Sequence, residues 1–259
     1  MALPLRIGLF PYLNVQPLIH GLRGETGFDV VIDLPSRIAD RFHKGELDLA
    51  MVPSFEAPGL GAPVLDSICI ASEGAVETVL LHHRVPLSRV KTLALDTASR
   101  TSAALAKILI AEAAGRLPEA RVFSPFAAET PDADAILVIG DPAFTWSREG
   151  YKVLDLGREW RERTALPFVF ALMSVGERAM GRDLSKRLLH AIRCGQEEAS
   201  TIASSYNSGV DSARAQHYIT EVIRYNLGPR EKEGLALFYR QAQTHALRTA
   251  QKELEFHVV

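Results

Sequence analysis

One seven-residue segment gathers the groups best suited to holding an anion. Asp96-Thr97-Ala98-Ser99-Arg100-Thr101-Ser102 carries four hydroxyl side chains and one arginine. It follows a strand-like run, Thr92-Leu93-Ala94-Leu95-Asp96, and opens a helical stretch from about Ser102 to Ala114. The first turn of a helix presents backbone N–H groups and a partial positive charge, so it attracts carboxylates and phosphates. Ser99, Thr101 and Ser102 add hydroxyl donors, and Arg100 offers a bidentate partner. Ordinary helix capping by Ser99 or Thr101 would use the same side chains. The segment has none of the glycines of a phosphate-cradling P-loop, which argues against a nucleotide.

Three other predicted strand ends carry polar groups. Pro11-Tyr12-Leu13-Asn14 brings an amide that can donate and accept and a ring that can stack or donate; Asn14 could also simply cap a helix. Pro53-Ser54-Phe55 offers a hydroxyl and an apolar wall, or a plain turn. Gly140-Asp141-Pro142 supplies the only carboxylate immediately after a predicted cleft strand, with capping of the next turn as its other use. Thr78 could sit at the cleft floor or face solvent. Conventional catalytic signals are weak. His82 and His83 are adjacent, so on a strand they face opposite sides. No nucleophile elbow, His-Glu-x-x-His motif or zinc spacing is present. Neither a metal nor an organic cofactor is indicated.

The elements that must position these groups follow from periodicity. Apolar runs at Arg6–Phe10, Val30–Asp33 and Leu47–Pro53 alternate with helices opened by Pro17 and capped by Ser36, the latter ending at Gly45. This is the pattern of a parallel, doubly wound sheet. Val76–Arg84 reads as a crossing strand. A second set follows, with strands at Thr92–Asp96, Ala135–Gly140 and Lys152–Leu156, and Leu166–Ala171 returns the chain. From Ser185 onward the pattern is helical, with Leu188, Leu189, Ile192, Ile219, Val222, Ile223, Leu235, Leu237 and Phe238 at three-to-four spacing. The expectation is an α/β chain of two mixed or parallel sheets flanked by helices: one lobe from residues 1–88, a second from 89–170, and a return to the first over 171–259. Ligands of open α/β sheets lie beyond the carboxyl ends of strands, so the segments above become corners of one cleft.

Composition limits the partner. The chain has 259 residues, 47% of them apolar and 23% charged, with a formal net charge of -2. No run of like charge suits a nucleic acid or a membrane surface, so a small-molecule substrate is expected. Cys69 and Cys194 read as buried free thiols. The start, Met1-Ala2-Leu3-Pro4-Leu5-Arg6, has no basic-then-apolar export pattern, and a cytoplasmic monomer or weak dimer is expected.

Several blocks together resemble the chorismate dehydratase family of the futalosine-dependent menaquinone pathway. They are Arg6-Ile7-Gly8 with Tyr12-Leu13-Asn14, Asp33-Leu34-Pro35-Ser36-Arg37, Gly45-Glu46-Leu47-Asp48, Leu95 to Ser102, Ile139-Gly140-Asp141-Pro142-Ala143, Asp155 to Trp160 and Leu166 to Ala171. The resemblance implies a two-lobed, periplasmic-binding-protein-like fold of type II, reused as a carbon–oxygen lyase. It implies conversion of chorismate to 3-[(1-carboxyvinyl)oxy]benzoate and water. Asn14 and Asp141 become the candidate catalytic residues. Tyr12, Ser54, Phe55, Thr78, Ser99, Arg100, Thr101, Ser102 and Gly140 become candidate substrate contacts. The substrate's enolpyruvyl carboxylate is one candidate base and Asp141 the other. Three positions depart from the family pattern: Ser72-Glu73-Gly74 stands where Asp-Gly is common, Ala165 where a Thr-Gly-Leu-Pro pattern has glycine, and Thr78 where serine is expected. The sibling 1,4-dihydroxy-6-naphthoate synthase is expected to carry histidine at the position of Gly140, and the glycine favours the dehydratase. A non-catalytic carboxylate-binding protein is the remaining alternative.

Overall fold

The computed structural model describes residues 3–98, 100–127, 129, 131–207, 209–247 and 254–257. Short apolar runs become buried strands, and the intervening amphipathic stretches fold over them. The order is β1 (Leu5–Leu9), α1 (Gln16–Gly21), β2 (Phe28–Ile32), α2 (Pro35–His43), β3 (Leu49–Pro53) and β4 (Val64–Ser72). Then come β5 (Val79–His83), β6 (Thr92–Asp96), α3 (Thr101–Ala114), β7 (Glu119–Phe123), β8 (Ala135–Ile139), β9 (Lys152–Asp155) and α4 (Leu156–Thr164). The chain finishes with β10 (Phe168–Val175), α5 (Leu184–Glu197), α6 (Ala199–Ser205), α7 (Ser212–His217), β11 (Arg224–Asn226), α8 (Pro229–Thr244) and β12 (Phe256–His257).

The strands form two sheets. The first runs β11-β4-β10-β3-β1-β2, with β12 also paired to β4, and the second runs β7-β6-β8-β5-β9. Parallel pairs join β1 to β2 and β3, and β6 to β7 and β8, whereas β10 is antiparallel to both β3 and β4, and β5 to both β8 and β9. The chain leaves the first sheet after Ser72 and regains it at Phe168, so the second sheet takes in β5, which lies before residue 89. Strand β4 escapes the periodicity because it is buried along most of its length, and Asp66-Ser67 interrupt its apolar run. Strand β7 fails for the opposite reason: it is an exposed edge bearing Glu119 and Arg121. Helix α2 starts two residues earlier than expected, with Leu34 as N-cap and Ser36 inside the first turn. Cys69 is fully buried, but Cys194 is only half-buried, with its Sγ 3.6 Å from His190 Nε2.

Two crossings connect the sheets, and one side chain holds both. Asp155 N-caps α4, accepting from the N–H groups of Gly157 and Arg158 at 3.0 Å each. The same carboxylate accepts from the N–H groups of Val76 at 3.1 Å and Glu77 at 2.8 Å on the outgoing crossing. Gly157 permits this approach, since a Cβ there would stand 2.5 Å from the Gly74 carbonyl oxygen. Behind the return crossing, Trp160, Phe168 and Phe238 pack edge to face, with centroids of Phe168 5.1 Å from Trp160 and 5.0 Å from Phe238. Each such pair contributes about 0.5–1.5 kcal/mol beyond its buried area.

Both crossings bend through left-handed backbone at residues other than glycine: Glu77 at φ 63° and Ala165 at φ 60°. Side chains disfavour that region because Cβ crowds the carbonyl oxygen. Ala165→Gly is therefore expected to stabilise the fold by about 0.5–1 kcal/mol after the extra flexibility of the unfolded chain is subtracted, raising Tm by roughly 1–4 °C. Thermal unfolding followed by circular dichroism checks this, and a lower Tm would show that the bend carries no strain.

Candidate active site

A cavity of about 60 Å³ lies between the sheets, at the strand ends that the parallel topology turns inward. Its wall is largely apolar: Phe10, Pro53, Ile70, Val76, Ile139 and Phe170 contribute. The polar groups on it are Tyr12, Asn14, Thr78, Arg100, Thr101 and Ser102, and Gly140 closes one side. Among the described residues this lining holds no carboxylate and no histidine. A wider outer cleft of about 660 Å³ adjoins Asp40, His43, Lys44, Phe55, Glu56 and Arg100, so Arg100 borders both spaces.

Helix α3 aims its N-terminus at this cavity. Arg100 is its N-cap without a capping side-chain bond, and Thr101 and Ser102 form the first turn. Thr101 does not cap the helix; its Oγ1 instead accepts from the N–H of Phe55, 3.1 Å away across the cleft. Ser99 lies outside the described residues. Ser54 is fully buried and donates to the Val169 carbonyl at 2.7 Å, so it stands behind the wall rather than on it. Phe55 lines the outer cleft, not the cavity. Arg100 is paired across the cleft, to Asp40 at 3.1 Å and to Glu56. Burial pushes the Glu56 carboxyl up, with the Arg100 guanidinium opposing it.

Asp141 is likewise committed. Its carboxylate accepts from the Leu13 N–H at 3.0 Å and from the Tyr206 hydroxyl at 2.5 Å, and it does not line the cavity. Burial raises its pKa while these two bonds lower it. The link ties the turn after β8 to the loop that presents Asn14. Asp96, buried beneath the loop before α3, accepts from the N–H groups of Ala98 at 2.9 Å and Ile139 at 3.3 Å. Burial, reinforced by the charges of Asp96 and Asp141, holds the Tyr12 phenol protonated far above its usual range. His82 is buried against Trp146, centroids 4.4 Å apart, and desolvation lowers its pKa to about 4. It is a neutral core residue and not a base for this site.

Two tyrosines complete the site that sequence reasoning left out. Tyr206 follows α6 and reaches Asp141 and the Pro11 carbonyl. Tyr218 opens a π-helical turn, Tyr218–Val222, and its hydroxyl lies 2.7 Å from Thr78 Oγ1. Neither carries a local signal. Each looks like one more apolar position on a helix, and only the tertiary fold turns its hydroxyl toward Asp141 or Thr78.

A family model described as menaquinone biosynthesis matches residues 5–244. The chain belongs to that family. Within it, a Thermus thermophilus protein named chorismate dehydratase is 33% identical over 91% of this chain and 94% of its own length. A Campylobacter jejuni protein of the same name is 26% identical over 92% of each. The fold is that of periplasmic binding proteins. An Archaeoglobus fulgidus crystal structure aligns with TM-score 0.71 at 16% identity, covering 95% of this chain and 98% of its own. The periplasmic aliphatic sulphonate binding protein of Escherichia coli aligns with TM-score 0.61 at 14% identity, covering 100% and 97%.

In this menaquinone-family chain Gly140 is fixed by two demands. Its backbone is left-handed at φ 67°, and a Cβ would stand 2.8 Å from the Tyr12 ring. Gly140→Ala is expected to cost about 2–4 kcal/mol from the left-handed strain and the overpacking together. A fall in Tm of several degrees, with loss of ligand binding, is the expected result; an unaffected Tm would mean that Tyr12 moves aside freely.

Proposed function

We propose that this chain removes water from chorismate, forming 3-[(1-carboxyvinyl)oxy]benzoate in menaquinone biosynthesis. The reading is supported by the two relatives named chorismate dehydratase and by the resemblance of the blocks from Arg6 to Ala171. One observation carries it: among the described residues the cavity wall collects an amide, hydroxyls and a helix N-terminus but no carboxylate or histidine. That set suits a dianionic substrate that supplies its own base. Gly140, filled against by the Tyr12 ring, leaves no room for the histidine expected of the sibling synthase.

The proton leaves the ring carbon bearing the enolpyruvyl ether, and the substrate's enolpyruvyl carboxylate takes it. The hydroxyl departs from the adjacent carbon and leaves as water once it gains that proton, and the ring becomes aromatic. Aromatisation drives the step, so orientation and charge placement are what the protein supplies. Ser102 and the first turn of α3 hold the ring carboxylate, and Arg100 turns from Glu56 toward it as substrate arrives. At about 60 Å³ the cavity is smaller than the roughly 300–1,000 Å³ of ordinary small-molecule pockets, so the sheets part to admit chorismate and close on it. Asp141 serves as a positioning residue that fixes the Leu13 backbone beside Asn14.

Incubation of the purified protein with chorismate, read by loss of its ultraviolet absorbance and by product mass, tests the reading. Unchanged chorismate at high protein concentration would favour a carboxylate-binding protein instead. Asn14→Ala is expected to lower kcat by about 100-fold or more, the scale of removing one preorganised polar contact. Asp141→Asn should retain turnover within about tenfold, since its carboxylate is structural in this scheme. Abolished turnover with intact substrate binding in Asp141→Asn would make Asp141 the base.

A further inference from the structure

The Asn14 amide has an unmatched end. Its Oδ1 is buried without a hydrogen-bond partner among the described residues, although Asn14 borders the cavity. A buried acceptor left unpaired costs about 1–3 kcal/mol, so a site that keeps one is built to receive a donor. The amide lies beside Tyr218, in electrostatic contact with a hydroxyl that sits 2.7 Å from Thr78 Oγ1. An amide nitrogen only donates and its oxygen only accepts. Because Oδ1 has no partner among the described residues, the nitrogen is the end of the amide that faces the Tyr218 oxygen.

Tyr218 is itself held rigidly. It is 1% exposed, and its ring meets the Phe144 ring edge to face with centroids 5.2 Å apart and an interplanar angle of 81°. Arg214 lies over Phe144 at 5.2 Å and pairs with Glu77 at 3.0 Å, one residue before Thr78. The π-helical turn at Tyr218–Val222 breaks the regular helix where this hydroxyl is needed, and such turns often mark functional positions.

We propose that Tyr218 is the positioning residue of this site: with Thr78 it orients the Asn14 amide so that Oδ1 accepts the ring hydroxyl that the substrate loses. This rests on the chorismate reading. The two carboxylates and the ether of chorismate can only accept hydrogen bonds, so its hydroxyl is the one group that matches the unpaired acceptor. That bond aligns the departing C–O bond with the C–H bond that breaks.

Tyr218→Phe keeps the ring and its packing while removing the hydroxyl. Its kcat is expected to fall about tenfold or more with KM for chorismate within about threefold, the pattern of an interaction that orients rather than binds. In an Asn14→Ala background the same change should alter kcat by less than about twofold, because the two residues act as one unit. Losses that multiply in the double variant, or a Tyr218→Phe protein with unchanged kcat, would overturn the proposal. A second measurement does not need turnover. The side-chain ¹⁵N–¹H pair of Asn14, assigned by its loss in Asn14→Ala, should shift and exchange faster with water in Tyr218→Phe. An unmoved pair overturns the proposal, whereas a shifted pair in a protein inert toward chorismate overturns only the assigned reaction.

Discussion

The geometry of this molecule depends on one carboxylate that binds four backbone N–H groups. Asp155 ends β9 and caps α4, and it also grips Val76 and Glu77 on the strand-to-strand crossing that leaves the first sheet. A charged acceptor shared among backbone donors is strong and directional. It fixes the two crossings against each other, and Gly157 allows them to touch. Thr78, one residue beyond this anchor, therefore reaches the cavity in a defined position. The cavity inherits its precision from a contact that never meets the ligand.

Across the cleft, polar groups are spent on joining the two sheets. Thr101 binds the Phe55 backbone, Arg100 pairs with Asp40 and Glu56, and Asp141 holds Leu13 and Tyr206. These ties place Arg100, Glu56 and Asp141 in structural bonds. Among the described residues, what remains on the cavity wall is neutral or a backbone dipole, apart from Arg100. Such a wall favours chemistry in which the substrate's shape and its own charges do the proton transfer, and the protein holds that shape.

Much of the scaffold was legible from the sequence. The run Thr92–Asp96 and the helix after it are read correctly because apolar periodicity and the polar loop between them are local properties. The corners of the cleft followed from the rule that open α/β sheets bind ligands at strand ends. The roles of individual side chains were less legible. Ser54, Arg100 and Asp141 look free in sequence, but their partners Val169, Asp40 and Leu13 lie 115, 60 and 128 residues away. Tyr206 and Tyr218 were missed for the same reason. Sequence spacing shows which groups are present at a corner, and only long-range packing shows which of them are already occupied.

The placement of β10 bears on how the chain folds. It lies between β3 and β4, antiparallel to both, yet it is made more than ninety residues after β4 ends. Every strand of the second sheet falls between β4 and β10 in the chain, so that sheet can complete its pairing during synthesis while the first still has a gap at its centre. Until Phe168–Val175 inserts, facing edges of β3 and β4 stay unpaired, and such edges invite association with other chains. The first sheet thus closes only after every strand of the second has been made, and the return crossing that Asp155 anchors is the route by which that last central strand arrives.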